Sequence, residues 1–379
     1  MSAPVQTREG ALILDSHKLS YHIDRVRAWE AGERFAPVSI DMALTRACGA
    51  MCSFCYAMMQ EAQERSSIKT AHALNLLDDF AAIGVRGVSL ISDGESTLSK
   101  AYVPFIQHAA ELGIDVGNAT NGWEWEPEKI EQVLPHLTWV RFTVAAGRPE
   151  SYARIMYKGP EHTKVFDRAM KHIKYAVDLK TRNRLPVTLG IQMVLMPEFK
   201  DEILAFAQLG LDLGVDYAVI KHCSDDEQHS LGVDYSKYEA MHDLLTQAEA
   251  MSTEQTKVIV KWSKIRDGDK PSYQRCYGPP FLLQISGSGL VAPAGMFFNA
   301  RYSKLHIGNF TEERFIDIWK SDRYWRAMNY LASPAFDAPT MMGTLPIAHY
   351  VNVALDRHVK GIERIQPAAG SKPLHVNFL

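Results

Sequence analysis

The 379-residue sequence has no excess of either charge, few cysteines and no long apolar run. Lys and Arg number 41 against 44 Asp and Glu, which lacks the basic footprint that binding to a nucleic-acid backbone requires. No stretch reaches the roughly eighteen apolar residues of a membrane span, and the first residues contain no apolar signal segment. We therefore expect a cytoplasmic protein with no membrane span and no nucleic-acid partner.

The five cysteines are too few, and odd in number, for a disulfide framework. Cys48, Cys52 and Cys55 lie close together in the segment TRACGAMCSFCY, a spacing that favours a shared metal centre over disulfide cross-links. Cys223 and Cys276 are distant from this group in sequence. This distribution indicates a reducing compartment.

From about residue 37, short β-rich runs alternate with longer amphipathic stretches, as a wound parallel β/α structure requires. The predicted strands are Pro37–Leu44, Val85–Ile91, Ile114–Ala119, Trp139–Ala145, Pro186–Leu195 and Tyr217–Lys221. The predicted helices between them are Ile68–Ile83, Ala101–Leu112, Pro127–Leu134, Thr163–Leu179 and Lys200–Leu213. After His222 this pattern ends, and a helix near Tyr238–Ala250, a strand near Val258–Trp262 and a helix near Glu313–Leu331 are predicted. The segment PAAGSKPLHVNFL is predicted to be a loosely structured tail.

The cysteine segment directly follows the first predicted strand, so it lies at the carboxyl ends of the strands, where such folds build their sites. Three thiolates are one fewer than the usual ligand set of an iron–sulfur cluster, which leaves one iron open to a substrate or cofactor. A structural zinc site is the alternative, although it requires four closed ligands. Three unrelated buried cysteines are a further alternative.

The spacing Cys48-x3-Cys52-x2-Cys55, with Phe54 before the last cysteine, resembles the signature of the radical S-adenosylmethionine (AdoMet) superfamily. That resemblance implies a partial (β/α)6 TIM-like barrel in the α/β class. It also implies a [4Fe-4S] cluster held by the three cysteines and AdoMet on the fourth iron. Reductive cleavage of AdoMet would give a 5′-deoxyadenosyl radical that abstracts hydrogen from a substrate, with electrons from a reducing protein such as flavodoxin or ferredoxin.

The resemblance also implies a set of cofactor-binding residues, which are Phe54, Gly94, Glu95, Thr143 and Gln192. Gly94 and Glu95 correspond to a glycine–glutamate motif that meets the methionine amino group, although Asp93 stands where the family commonly has another glycine. Thr143 and Gln192 occupy strand positions where the family often binds AdoMet. The alternatives are a plain turn at Gly94–Glu95 and internally bonded polar groups on the two strands.

The carboxyl-terminal third resembles a degenerate SPASM or twitch domain, the kind that carries an auxiliary cluster in related enzymes. Cys276 and Gly289 have the expected spacing, but Ala294 stands where a ligand cysteine would be, and the segment MMGTLPIAHYVN contains no cysteine. We therefore expect residues 1–29 to form an extension, residues 30–235 the barrel, and residues 236–379 the altered domain with the tail, a smaller domain of the α+β class. A complete second cluster is not expected.

Without a second cluster to accept an electron, we predict a redox-neutral reaction such as epimerisation or rearrangement of a small polar molecule. Cys223, at the end of the sixth predicted strand, is the candidate catalytic hydrogen donor, and a buried apolar role is the alternative. Segments before the first strand resemble enzymes of sugar or aminocyclitol modification. A radical AdoMet dehydrogenase, a peptide-modifying enzyme with an unusual auxiliary cluster, and a non-catalytic metal-binding relic remain alternatives.

Overall fold

The computed structural model describes residues 4–55, 57, 66–159, 162–342 and 348–379. Its strands, numbered along the chain, are β1 (Val5–Gln6), β2 (Ala11–Leu12), β3 (Ser39–Met42), β4 (Gly87–Leu90), β5 (Asp115–Thr120), β6 (Trp139–Thr143), β7 (Thr188–Leu195), β8 (Tyr217–His222), β9 (Lys257–Val260), β10 (Leu282–Ile285), β11 (Leu290–Ala292) and β12 (Gly308–Asn309). The large sheet has the order β12-β11-β10-β3-β4-β5-β6-β7-β8-β9, and it is parallel from β10 to β9. The pairings recorded among the described residues leave β9 and β12 as its edges, so the barrel is a partial one.

Helices alternate with the parallel strands and cover one face of the sheet. They are α1 (Ile23–Glu30), α2 (Thr70–Ile83), α3 (Tyr102–Glu111), α4 (Pro127–Val133), α5 (Pro149–Tyr157), α6 (Thr163–Asn183), α7 (Ile203–Leu213), α8 (His242–Ala250), α9 (Trp262–Asp267), α10 (Phe315–Lys320), α11 (Asp322–Ala332), α12 (Ala338–Met341) and α13 (His349–Val359). Alternate strand residues such as Val88, Val140 and Ile220 are fully buried in the core against these helices. The intervening residues face the barrel interior, which we call the lumen.

The six predicted strand–helix units are present. In each unit the apolar periodicity and the residues that end the helices indicate the same elements. Gly84 and Gly214 adopt the left-handed conformation that ends α2 and α7, with φ of 91° and 69°. The predicted helix near Glu313–Leu331 is two helices, because the Ser321 side chain accepts the Tyr324 N–H and caps a new start. α5 and α13 were not among the predicted helices.

The carboxyl-terminal third extends the main sheet at both sides. β9 pairs with β8, and β10 pairs with β3, so strands from beyond residue 235 flank the six predicted strands. β10 to β12 form an antiparallel meander on the β3 side. Strands of the carboxyl-terminal third therefore share one sheet with the strands of the barrel.

The prediction of a loosely structured tail was wrong. Residues 373–379, which we call the tail segment, cross the amino-terminal ends of the strands and form the floor of the lumen. Leu374 bridges to Leu12, the Asn377 amide donates to Asp115 at the start of β5 (2.8 Å), and His375 contacts Thr188 at the start of β7. Phe378 packs edge-on against Trp139, with ring centroids 5.5 Å apart. The lumen is thus blocked at the end opposite the cysteine loop.

Candidate active site at the carboxyl ends of the strands

The cysteine loop leaves β3 and is held by backbone hydrogen bonds on two sides. Ala47 O accepts from Glu95 N (2.9 Å), which ties the loop to the end of β4. On the far side, Met51 N and Ser53 N donate to carbonyls at the end of α5, at 2.8 and 2.9 Å. α5 is therefore a structural support of this loop that the sequence analysis did not identify.

The three thiols of the loop lie at the protein surface and near one another. Cys48 is exposed, and Cys52 and Cys55 are half-buried. Burial raises the pKa of Cys52 well above its usual value, and the neighbouring Cys55 and Cys48 raise it further. Desolvation raises the pKa of Cys48 as well, with Glu95 as the next contributor. Thiols affect the pKa of one another in this way only when they are close. A metal centre that binds their thiolate forms, with release of the thiol protons, could therefore be shared by all three.

This donor set fits an iron–sulfur cluster. A [4Fe-4S] cube takes each thiolate on a different iron, and three thiolates leave one iron open. A structural zinc site would need a fourth ligand, and residues 56 and 58–65 lie outside the described part of the chain.

Gly94 and Glu95 border this loop directly. A Cβ on Gly94 would stand 1.9 Å from Thr45 O, so only glycine allows the two backbones to approach this closely. The Glu95 carboxylate is buried, where it accepts from Asn121 N (2.8 Å) and the Thr97 hydroxyl (2.7 Å). Burial raises the pKa of Glu95, and the hydrogen bonds from Asn121 and Thr97 oppose that shift.

A second acidic residue, Glu124, was missed by the sequence analysis. Its carboxylate accepts from the Asn121 side chain (2.9 Å), so Asn121 connects it to Glu95. Gly49 of the cysteine loop packs so tightly there that a Cβ would meet Glu124 Oε1 at 2.4 Å. Gly122 has φ of 80°, so the chain makes a left-handed turn at Asn121–Gly122, a dipeptide that favours such turns.

Asp93, the residue that replaces a family glycine, joins three loops. Its carboxylate accepts from the Ser286 hydroxyl (2.5 Å) and Gly287 N (2.8 Å), both in the turn between β10 and β11. Arg46 of the cysteine loop lies 3.2 Å away, and both side chains of this ion pair are buried. We call this set of Asp93, Arg46, Ser286 and Gly287 the Asp93 junction. A glycine could make none of these contacts.

The other predicted site residues lie on the same side of the barrel. Phe54 is half-buried and packs against the apolar cluster of Val194, Met196 and Cys223. Thr143, the last residue of β6, is paired with Gln192 in the middle of β7. Cys223 follows β8 and is fully buried, and burial raises the pKa of its thiol to about 12. Cys223 therefore belongs to an apolar cluster that Phe54 of the cysteine loop contacts. Its raised pKa keeps the thiol protonated near neutral pH.

The carboxyl-terminal positions expected around an auxiliary cluster form an apolar core. Cys276 and Ala294 belong to one buried cluster with Tyr273, Phe297 and Phe298. The Asn352 amide lies 3.8 Å from the Cys276 sulfur. Residues 343–347 of the MMGTLPIAHYVN segment lie outside the described residues.

Comparison with known proteins gives a consistent class. Residues 42–210 match the family model of the radical SAM superfamily. The sporulation killing factor maturation protein SkfB of Bacillus subtilis is 30% identical over 105 residues, which are 28% of this chain and 25% of SkfB. The AdoMet-dependent heme synthase of Methanosarcina barkeri is 21% identical over 337 residues, which are 84% of this chain and 90% of that protein.

Solved structures show the same fold. Streptococcus suis SuiB bound to S-adenosylmethionine superposes with a TM-score of 0.60 at 15% identity, covering 80% of this chain and 71% of SuiB. The enzyme anSMEcpe with bound AdoMet gives 0.57 at 11% identity, covering 86% of this chain and 98% of that one.

Residues 42–210 thus match a radical SAM domain, and the fold of the chain is the one seen in SuiB and anSMEcpe. Enzymes of this class use a [4Fe-4S] cluster and AdoMet, as the sequence analysis expected. Among the described residues, no helix combines the length and apolar character needed to cross a membrane.

Proposed function

We propose that this enzyme cleaves AdoMet reductively and uses the resulting radical on a small polar substrate held in the lumen. The observation that carries this proposal is the contact between the cysteine loop and Gly94–Glu95 above a lumen whose other end is closed by the tail segment. Because the tail segment closes the far end of the lumen, a small molecule would enter from the side of the cysteine loop.

In this proposal Cys48, Cys52 and Cys55 ligate the cluster through three irons. The bound cluster and AdoMet supply a 5′-deoxyadenosyl radical, which removes a hydrogen atom from the substrate. Glu95 lies behind the loop as a buried carboxylate, the group that binds an ammonium most strongly, and it would hold the methionine amino group. Phe54, Thr143 and Gln192 would border the remainder of AdoMet.

We further propose a redox-neutral outcome in which Cys223 returns a hydrogen atom to the substrate radical. The S–H bond breaks homolytically, the new C–H bond forms, and a thiyl radical remains on Cys223. One electron from a reducing protein such as flavodoxin or ferredoxin, with one proton from solvent, restores the thiol. The same reducing protein would also supply the electron that AdoMet cleavage requires, so each turnover would consume two electrons and one AdoMet.

The cluster assignment is tested with Cys52→Ala, which should lose reductive AdoMet cleavage, measured as 5′-deoxyadenosine after anaerobic reconstitution. Cys276→Ala is the matched control, because that thiol lies in a separate apolar core and should leave cleavage intact. The iron content should be about four atoms per chain, against about eight for an enzyme with a second cluster. Full cleavage by Cys52→Ala would reject the assignment.

The role of Cys223 is tested with Cys223→Ala, which should still form 5′-deoxyadenosine but not complete the product. Turnover of the wild type in heavy water should place deuterium on the product carbon, because the thiol proton exchanges with solvent. A product two electrons more oxidised than the substrate, without deuterium, would instead support the dehydrogenase alternative and leave Cys223 as a packing residue.

A peptide-modifying activity is the second candidate, and one feature favours it. An open groove of about 1040 Å³ lies between the segment after β8 and α9, where Tyr235, Glu239 and Trp262 contribute to its walls. SkfB is named for maturation of a sporulation killing factor, and SuiB has been crystallised with the precursor peptide SuiA. Residues 236–379 would then act as a degenerate SPASM-like domain beside that groove.

A further inference from the structure

Four basic side chains from four different elements meet in the lumen. Arg141 lies on β6 between Val140 and Phe142, which both pack toward the helices, so Arg141 points to the opposite, lumen face. Lys221 alternates in the same way with Ile220 on β8. Lys261 directly follows β9, and Lys264 lies one turn further along α9.

These cations influence one another although their strands are not neighbours in the sheet. After burial itself, Lys264 and Arg141 are the largest causes of a lowered pKa at Lys221, which falls to about 7. Lys264, Arg141 and Lys221 act in the same direction on Lys261. β6 and β9 are separated by two intervening strands. Their charges therefore approach each other across the interior of the barrel.

The acidic groups near this cluster also have hydrogen-bond or ion-pair partners outside it. Asp15 accepts from Ser263 N (3.0 Å), the Ser263 hydroxyl (2.5 Å) and the Tyr350 hydroxyl (2.9 Å). Asp267 lies 3.2 Å from His349 Nε2. Burial raises the pKa of Asp41 on β3 to about 6, opposed by hydrogen bonds with Ser89 and Gln284.

Asp15 and Asp267 lie near enough to raise the pKa of Lys264, against the larger effect of burial, but the contacts to the lysines are longer than an ion pair. In the part of the chain that the structure describes, no carboxylate lies within ion-pair distance of Lys221, Lys261 or Lys264. Lys261 and Lys264 do lie over the Tyr350 ring, at 5.4 and 6.0 Å from its centroid. Arg141 Nε is buried without a hydrogen-bond partner. Such a group of half-buried like charges is costly unless an anion completes it.

We propose that Arg141, Lys221, Lys261 and Lys264 form a binding site for the anionic group, a phosphate ester or a carboxylate, of the enzyme's own substrate. The identification of the ligand as the enzyme's substrate rests on the proposed function. The binding of an anion is argued only from the four basic side chains in the lumen. Lys221 and Lys261 lie at the carboxyl ends of β8 and β9, which is the side of the sheet that carries the cysteine loop, so an anionic group bound by them would hold the rest of a small molecule beside that loop. The cluster would thereby fix which carbon faces the cofactor.

The site is tested by isothermal titration of the anaerobically reconstituted full chain with inorganic phosphate and, separately, with citrate. Lys221→Met and Lys261→Met keep the length of the side chain and remove its charge, and each should weaken binding at least tenfold. Lys174→Met, on the exposed face of α6, is the matched control and should bind as the wild type does. Lys221→Arg should restore binding, because the charge returns.

Thermal unfolding supplies a readout that does not depend on activity. Lys261→Met should raise the melting temperature in the absence of anion, because it removes an uncompensated charge, while phosphate or citrate should raise it only in the wild type. Stronger binding of phosphate than of citrate would assign a phosphate ester, and the reverse order a carboxylate.

Binding of neither anion, or binding that survives both methionine substitutions, would overturn the inference. Displacement of phosphate by AdoMet alone would also overturn it, because the cations would then hold the carboxylate of AdoMet. Intact anion binding in a protein that does not cleave AdoMet would reject the proposed function and leave the anion site standing.

Discussion

Glu95 shows how a buried carboxylate can be prepared for a cationic ligand. The Asn121 main-chain N–H and the Thr97 hydroxyl already orient its carboxylate. Its own backbone is hydrogen-bonded to the cysteine loop. A sequence motif of two residues predicted this position. It could not predict Glu124, which lies beyond the next strand and reaches Glu95 only through Asn121.

Replacement of Glu95 by Gln should weaken AdoMet binding at least tenfold, because a charge-assisted hydrogen bond contributes roughly 1.5–3 kcal/mol. The cluster content should remain at the wild-type value, since no cluster ligand changes. Calorimetric titration with AdoMet and an iron and sulfide assay measure the two quantities. Glu111→Gln, an exposed carboxylate at the end of α3, serves as the control. Equal affinity of Glu95→Gln and wild type would contradict the assignment.

At the scale of elements, the Asp93 junction connects the loop after β4, the cysteine loop and the β10–β11 turn. From the sequence, Asp93 is only a departure from a glycine of the family motif. Its contacts could not be predicted, because its partners Ser286 and Gly287 are almost two hundred residues away. Local periodicity predicted the helices and strands of the barrel well. It could not predict contacts that the sheet order β10-β3-β4 alone creates.

Asp93→Ala should destabilise the protein by about 3–5 kcal/mol, the cost of leaving the buried Arg46 charge without its partner. Asp78→Ala, which breaks an exposed contact with His108, should cost less than about 1 kcal/mol. Denaturant unfolding of both variants under anaerobic conditions measures the difference. A similar decrease in the free energy of unfolding in the two variants would mean that the Asp93 junction stabilises the protein no more than a surface ion pair does.

At the scale of the whole molecule, buried lysines make stability depend on pH. Burial lowers the pKa of Lys18 and of Lys221 to about 7, and that of Lys264 to about 8, from an ordinary value near 10.5. The unfolded chain therefore binds more protons than the folded one between about pH 7 and 10, so stability should rise with pH there.

We expect the melting temperature to increase from pH 7 to pH 8.5, and to increase less in Lys221→Met, which lacks one of these groups. The comparison between the two proteins removes contributions from the other titrating groups, which are the same in both. Lys174→Met should follow the wild type. An identical pH dependence in Lys221→Met would show that this lysine is fully protonated in the folded protein near neutral pH.

The floor of the lumen has a consequence for the order of folding. Lys18 contacts Phe378 across 360 positions, and β2 meets Leu374 in the same layer. Contacts of such separation form slowly, because a long loop must close before they contribute. During synthesis, β3 to β8 are complete long before residue 374 emerges, so Trp139 and Tyr217 spend that interval facing water. The nascent barrel is therefore open at its amino-terminal end and exposes apolar side chains there. Aggregation is most probable in this interval, and chaperone binding would protect the chain most during it.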